Sequence, residues 1–212
     1  MSPGGPLAGL RRRWYRRRLQ DPAFAFLFEP WDGEEVVALD CETTGLDPAR
    51  DEILSIAAVA IRGERIRASG ALDLLVRPAR PSPEAAVLIH HLRAVDVAAG
   101  LPPAEAARRV LEFIGPRPLV GYCLHFDLAM LERLVRPLLG VPLPNRRIEV
   151  SSLYLAWRRP QLPPGAEIDL GFEAIRRTLD LPPLATHDAL DDALLTAMMY
   201  LRLQGDWQPR QG

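Results

Sequence analysis

The chain has 212 residues, 48% of them apolar and 25% charged, the balance of a soluble globular protein with one substantial core. A net charge of −1 excludes bulk electrostatic attraction to nucleic acid or membrane, and no run reaches the 18 or so apolar residues of a membrane helix. The two cysteines, Cys41 and Cys123, have no metal-ligand spacing and predict a reduced, cytoplasmic setting.

The chain opens on a Gly/Pro-rich stretch, residues 1–6. Leu7, Leu10 and Trp14 then share one helical stripe, which predicts an amphipathic helix over 7–19 packed on the domain surface. Residues 11–18 read RRRWYRRR, a strip whose alternative role is contact with nucleic acid, acidic lipid or a partner. All 26 basic residues are arginine, however. With 21 prolines this points to a GC-rich genome, so arginine abundance by itself is discounted as a nucleic-acid signature. The AFAFLF run that follows is too short, and too soon broken by Glu29 and Pro30, for a signal segment.

Strands are predicted at 35–40, 52–62 and 66–77, the last two joined through Gly63-Glu64-Arg65 as a hairpin. Helices follow at 83–97 and 103–114, then a short buried strand at 118–121 and a helix at 126–139. A strand at 147–150, a helix from 151, a Pro/Gly-rich loop at 160–165 and a helix near 168–179 come next. The last helix is predicted to start after Thr186, as its N-cap, and to run to about Gln204. A hairpin followed by alternating helices and strands is the pattern of an α/β fold with a mixed sheet. The organisation read from this is an extension over 1–34, one domain over 35–204 and a tail over 205–212.

Chemistry concentrates in three places. Asp40 and Glu42 follow the apolar run Val36–Leu39, and alternate residues of a strand project from one face. Two carboxylates held that close repel unless something positive sits between them, and oxygen pairs of this kind suit magnesium or manganese. Gly45 lets the backbone turn sharply beside them. Asp127 opens a helix after a short strand, where active-site residues of open α/β sheets gather and where an acid also complements the helix dipole. His187 stands beside Asp188, Asp191 and Asp192, as a tuned general base or a helix-capping cluster. Helical spacing pairs His187 with Asp191.

DCETTGL, GYCLHFD and HDALDDA, in that order, resemble the three exonuclease motifs of the DEDDh 3′–5′ exonucleases, with a likeness to relatives of the epsilon proofreading subunit of bacterial DNA polymerase III. The likeness covers about residues 35–203. It implies a ribonuclease H-like fold, a mixed five-stranded sheet flanked by helices, and two-metal phosphodiester hydrolysis with Mg²⁺ or Mn²⁺. Asp40, Glu42, Asp127 and Asp192 become the metal ligands, with Asp40 bridging. Glu42 and Asp192 hold the ion that activates water, and Asp127 helps hold the other. His187 becomes the general base through the family's H-x4-D spacing, which selects Asp192 over Asp191. Thr43, Thr44, Leu46 and Phe126 line the terminal-nucleotide pocket, the last two as stacking surfaces. Family members often carry His-Asn where this chain has Tyr122-Cys123, a departure that touches substrate contacts rather than the metal site. His125 is read as exposed, and the pair His90-His91 is given no chemistry.

The expected substrate is single-stranded DNA or a DNA 3′ end. An RNA 3′-trimming enzyme with the same chemistry is the alternative. A non-catalytic nucleic-acid-binding module is a third reading, opposed by five intact catalytic candidates. The short stretch after the last helix leaves little room for polymerase- and clamp-binding segments, so a free-standing repair exonuclease is expected rather than a replisome subunit.

Overall fold

The computed structural model describes residues 6–80, 92–184 and 188–205. Its centre is β1 (Glu35–Thr43), paired antiparallel with β2 (Ile53–Arg62) from Glu35↔Arg62 onward. On its other edge β1 pairs parallel with β5 (Leu119–Gly121), which pairs parallel with β6 (Arg147–Glu149). The outer edge of β2 carries two short strands in succession. β3 (Arg65–Ile66) pairs with Ile61 and Arg62, and β4 (Leu72–Leu75) with Ser55 to Ala58.

The sheet therefore has six strands rather than the five expected. The apolar run 66–77 is not one strand because Ala68–Gly70 forms a 3₁₀ turn. The edge of β2 is interrupted there, and the sheet remains five strands wide. Gly63 turns the hairpin at a φ of 56°, a left-handed conformation that glycine adopts without a Cβ clash.

Helices cover both faces. Side-chain alternation along β1 assigns each residue to one of two cores. Val37, Leu39 and Cys41 pack with α3 (Pro103–Ile114), α4 (Leu124–Leu139) and the 3₁₀ segment Pro22–Phe28. Val36 and Ala38 pack with α5 (Val150–Arg158), α6 (Phe172–Thr178) and α7 (Ala189–Gly205). No helix among the described residues is long and apolar enough to cross a membrane.

Some local expectations change. The helix expected over 83–97 is broken in its described part. Arg93 is extended, and α2 (Ala94–Ala98) starts afresh behind a capping box with Asp96. The residues 81–91, with His90-His91, lie outside the described residues. The helix expected from 168 starts only at Phe172, because the Asp169 side chain accepts the Gly171 N–H at 2.8 Å in a local turn. The first helix, α1 (Pro6–Arg16), is present but ends at Arg16 rather than 19 and is rotated: Tyr15, and Leu19 beyond its end, pack inward, while Leu10 and Trp14 of the predicted stripe face outward.

Candidate metal centre

Asp40 and Glu42 continue the side of β1 that bears Val36 and Ala38, the side on which α7 packs. They lie beyond the last residue of β1 paired with β5, at the open carboxyl end of the strand, and the register with β2 slips between Glu42 and Thr43. A bulge of this kind re-aims side chains at a sheet edge. Helix α7 crosses that end and brings a third carboxylate: oxygens of Asp40, Glu42 and Asp192 all lie within 4.8 Å of one another.

The register of α7 explains why Asp192, and not Asp191, enters this group. Asp188 caps the helix, its side chain accepting the Leu190 and Asp191 N–H groups at 3.0 and 3.1 Å. Asp188 thus takes the cap position. The expectations of Thr186 as cap and of an i,i+4 pairing of His187 with Asp191 fall on residues before Asp188. Both Thr186 and His187 lie outside the described residues.

The cluster is electrostatically unbalanced. Burial raises the Asp40 carboxyl well above its usual range, and the charges of Asp127, Asp192, Glu42 and Asp188 raise it further. Burial, then Asp192 and Asp188, pushes Glu42 up to about 7. Asp127, only 4% exposed in the first turn of α4, is also raised well above the usual range. Burial and Glu149 do this against the opposing backbone N–H of Cys41. Among the described residues no ion pair involves Asp40, Glu42 or Asp127. Converging carboxylate oxygens are the donor set of a hard divalent ion, so the residues present fit one.

Behind the site the chain turns through Thr44–Asp51. Thr44 is buried, donates its hydroxyl to Asp51 Oδ1 at 3.0 Å and accepts the Glu52 N–H at 3.0 Å. The other Asp51 oxygen accepts the Asp47 N–H at 2.8 Å. Gly45 serves this close approach, since a Cβ there would meet Asp51 Oδ2 at 2.6 Å. The Thr43 hydroxyl donates to the Gly45 carbonyl at 2.7 Å. Both threonines thus shape the loop. Leu46 stands 87% exposed at its tip, and Phe126 is half-buried against the core.

Glu149 is a residue that the motifs do not mark. It ends β6, and its carboxylate accepts the N–H groups of Cys123 and Leu124 at 3.1 and 2.9 Å. It also accepts the Ser151 hydroxyl at 2.9 Å. It thereby caps α4 from a neighbouring strand, satisfying backbone donors that the helix leaves open. The local cap cannot do this: Cys123 sits in the left-handed region at φ 54° and makes no side-chain cap bond. Tyr122 closes the same junction by donating its hydroxyl to the Leu170 carbonyl at 3.0 Å. His125 is exposed. Replacing Glu149 by alanine is expected to cost about 1–2 kcal/mol, the worth of a cap, and to lower the melting temperature by about 3–6 °C. An unchanged midpoint in a thermal melt would remove Glu149 from this role.

A profile of the exonuclease family (RNase T) matches residues 37–200, a span that contains all four acids. Over 177 residues the chain is 35% identical to a DNA polymerase III subunit epsilon-like protein of Rhodobacter capsulatus, covering 82% of this chain and 24% of that protein. It is 30% identical over 139 residues to an oligoribonuclease of Streptomyces griseus, covering 59% of this chain and 69% of the other. The fold superposes on Escherichia coli exonuclease I in a zinc-bound complex with single-stranded DNA, with a TM-score of 0.70 at 21% identity, over 84% of this chain and 42% of that one. The chain thus spans about a quarter of the first relative and under half of the structural neighbour.

Proposed function

This chain belongs to the exonuclease family, and from that premise we propose that it hydrolyses nucleic-acid strands from the 3′ end in a reaction dependent on Mg²⁺ or Mn²⁺. The observation that carries the reading is the convergence of Asp40, Glu42 and Asp192 at the open end of β1, with Asp127 buried beside them and no ion-paired cation on Asp40, Glu42 or Asp127. Asp40, Glu42 and Asp192 would hold one divalent ion, and Asp127 would help hold a second. Bound divalent ions supply Lewis-acid stabilisation of the phosphoryl oxygens and lower the pKa of water. His187 takes the proton of the attacking water, from its place in the H-x4-D spacing that ends on Asp192. Glu149 holds the first turn of α4, and so the backbone from which Asp127 projects. Leu46 and Phe126 offer apolar surfaces to the terminal base, and the Thr43–Thr44 loop sets where Leu46 stands.

The favoured substrate is a single-stranded DNA 3′ end, in keeping with the epsilon-like relative. The likeness to an oligoribonuclease favours short RNA as the second reading. Matched 5′-labelled DNA and RNA oligonucleotides with Mg²⁺ or Mn²⁺ decide between them. Stepwise shortening of DNA faster than RNA is expected, and none in EDTA. Faster RNA shortening selects the second reading, and no shortening of either overturns the enzyme assignment.

A further inference from the structure

We propose, resting on the nuclease reading above, that the outward face of α1 is a second nucleic-acid contact that holds a single strand by its phosphates upstream of the 3′ end in the Asp40 site. The segment docks through Arg12 and Tyr15 of the helix and Leu19 beyond its end. Arg12 donates to the Glu29 carbonyl at 3.3 Å, and the two hydrophobic residues pack on the core. The opposite face presents Arg11, Arg13, Arg16 and Arg17 around Leu10 and Trp14. Leu10 is 61% exposed and Trp14 49%. None of these four arginines forms an ion pair among the described residues, although 27 acids are available in a chain of net charge −1. Genome composition accounts for many arginines. It does not account for their gathering on one solvent face without acids, around a half-exposed indole that carries the Arg18 guanidinium 3.9 Å from its ring centre.

A basic face interleaved with an aromatic is complementary to a single strand, whose phosphates meet the guanidinium groups while a base meets the indole. Among the described side chains Leu10 and Trp14 alone give this face an apolar surface, narrower than an interfacial membrane helix needs. Placement supports an upstream contact. The chain leaving α1 bonds to the last turn of α4, Gln20 N–H to the Leu139 carbonyl at 3.0 Å and Asp21 N–H to the Leu138 carbonyl at 3.0 Å. Asp127 is in the first turn of the same helix. At 1.5 Å per residue the two ends are roughly 18 Å apart. A stacked strand covers that with about five nucleotides, so the contact serves longer strands and not di- or trinucleotides.

The test uses the full chain in EDTA with a fluorescent oligothymidylate of about 20 nucleotides. Binding is followed by anisotropy against salt for wild type, Arg11→Ala/Arg13→Ala/Arg16→Ala/Arg17→Ala and Trp14→Ala. The quadruple variant is expected to bind at least about tenfold more weakly at low salt, with a log–log salt slope shallower by about 3. Trp14→Ala is expected to weaken binding about fivefold or more without changing the slope. With Mn²⁺, the quadruple variant should show a raised KM and unchanged kcat on the long strand and unaltered hydrolysis of a trinucleotide. Unchanged affinity and slope would overturn the proposal. So would loss of binding to phosphatidylserine vesicles with oligothymidylate binding intact, which would assign the face to acidic lipid. The binding measurement involves neither metal nor cleavage, so it reads α1 even if the nuclease reading fails.

Discussion

Replacing Asp40 by asparagine is expected to cut nucleotide release at least about 100-fold while raising the melting temperature of the metal-free protein by about 2–6 °C. The two effects have one cause. Asp40 stands at the centre of the cluster, and its carboxyl is driven up by burial and by every other acid of the site. Asparagine keeps the shape and one oxygen but removes the charge that would face the metal, and loss of one electrostatic contact in an active site typically costs 10²–10³ in rate. The same change relieves repulsion in the folded state. Relief worth about 1–2 kcal/mol moves the midpoint of a chain of this size by a few degrees. The measurement is a 5′-labelled oligonucleotide assay beside a thermal melt in EDTA. An active variant would sink the metal-centre reading. An inactive variant that melts lower would point to a residue required for folding instead.

How much of this was legible in the sequence differs by residue. The alternation of β1 placed Asp40 and Glu42 on one side, and the structure keeps that parity from Val36 through Glu42. Helix α4 and the short strand β5 were legible because Gly and Pro bound short apolar runs. Other features depend on partners far along the chain. The turn at Ala68–Gly70 splits an apolar run that reads as continuous, since β2 offers pairing on either side of the break. Asp188 caps α7, a position that local chemistry does not single out among adjacent capping residues. The rotation of α1 was hidden because Leu10-Trp14 and Tyr15 lie on different faces of one short helix, and only docking on the 3₁₀ segment decides which faces in. Glu149 had no local signal, for it caps a helix that begins 25 residues earlier. Among the charged residues of the site, the Asp40-Glu42 pair was readable from residue type and spacing, whereas Asp192 in place of Asp191 came from the likeness to the exonuclease motifs. The residues that hold the site's backbone in place were not readable.

The metal-free protein is expected to lose stability as pH rises from about 5 to 8, and Mg²⁺ or Mn²⁺ is expected to restore it, most at the alkaline end. Glu42 is pushed from its ordinary 4.5 to about 7 in the folded chain, and Asp40 and Asp127 shift in the same direction. Below about pH 4.5 Glu42 is protonated whether the chain is folded or not, and the cluster carries no penalty from it. Between 4.5 and 7 the folded chain keeps a proton that the unfolded chain has released. Stability therefore falls through this window, because it falls wherever the folded state binds more protons. Glu42 is partly exposed, so solvent screening reduces the size of the effect but not its sign. A divalent ion binds the deprotonated carboxylates and competes with those protons, so its stabilisation grows over the same pH range. Melting curves at pH 5, 6, 7 and 8, with EDTA and with each ion, measure both slopes. Each kcal/mol recovered on adding metal appears as about 2–4 °C. The Glu42→Gln variant should flatten the EDTA slope, since its amide has no proton to lose. A midpoint that rises with pH in EDTA would contradict the like-charge cluster. A midpoint indifferent to both ions at pH 8 would leave the four acids without the cation that their convergence requires.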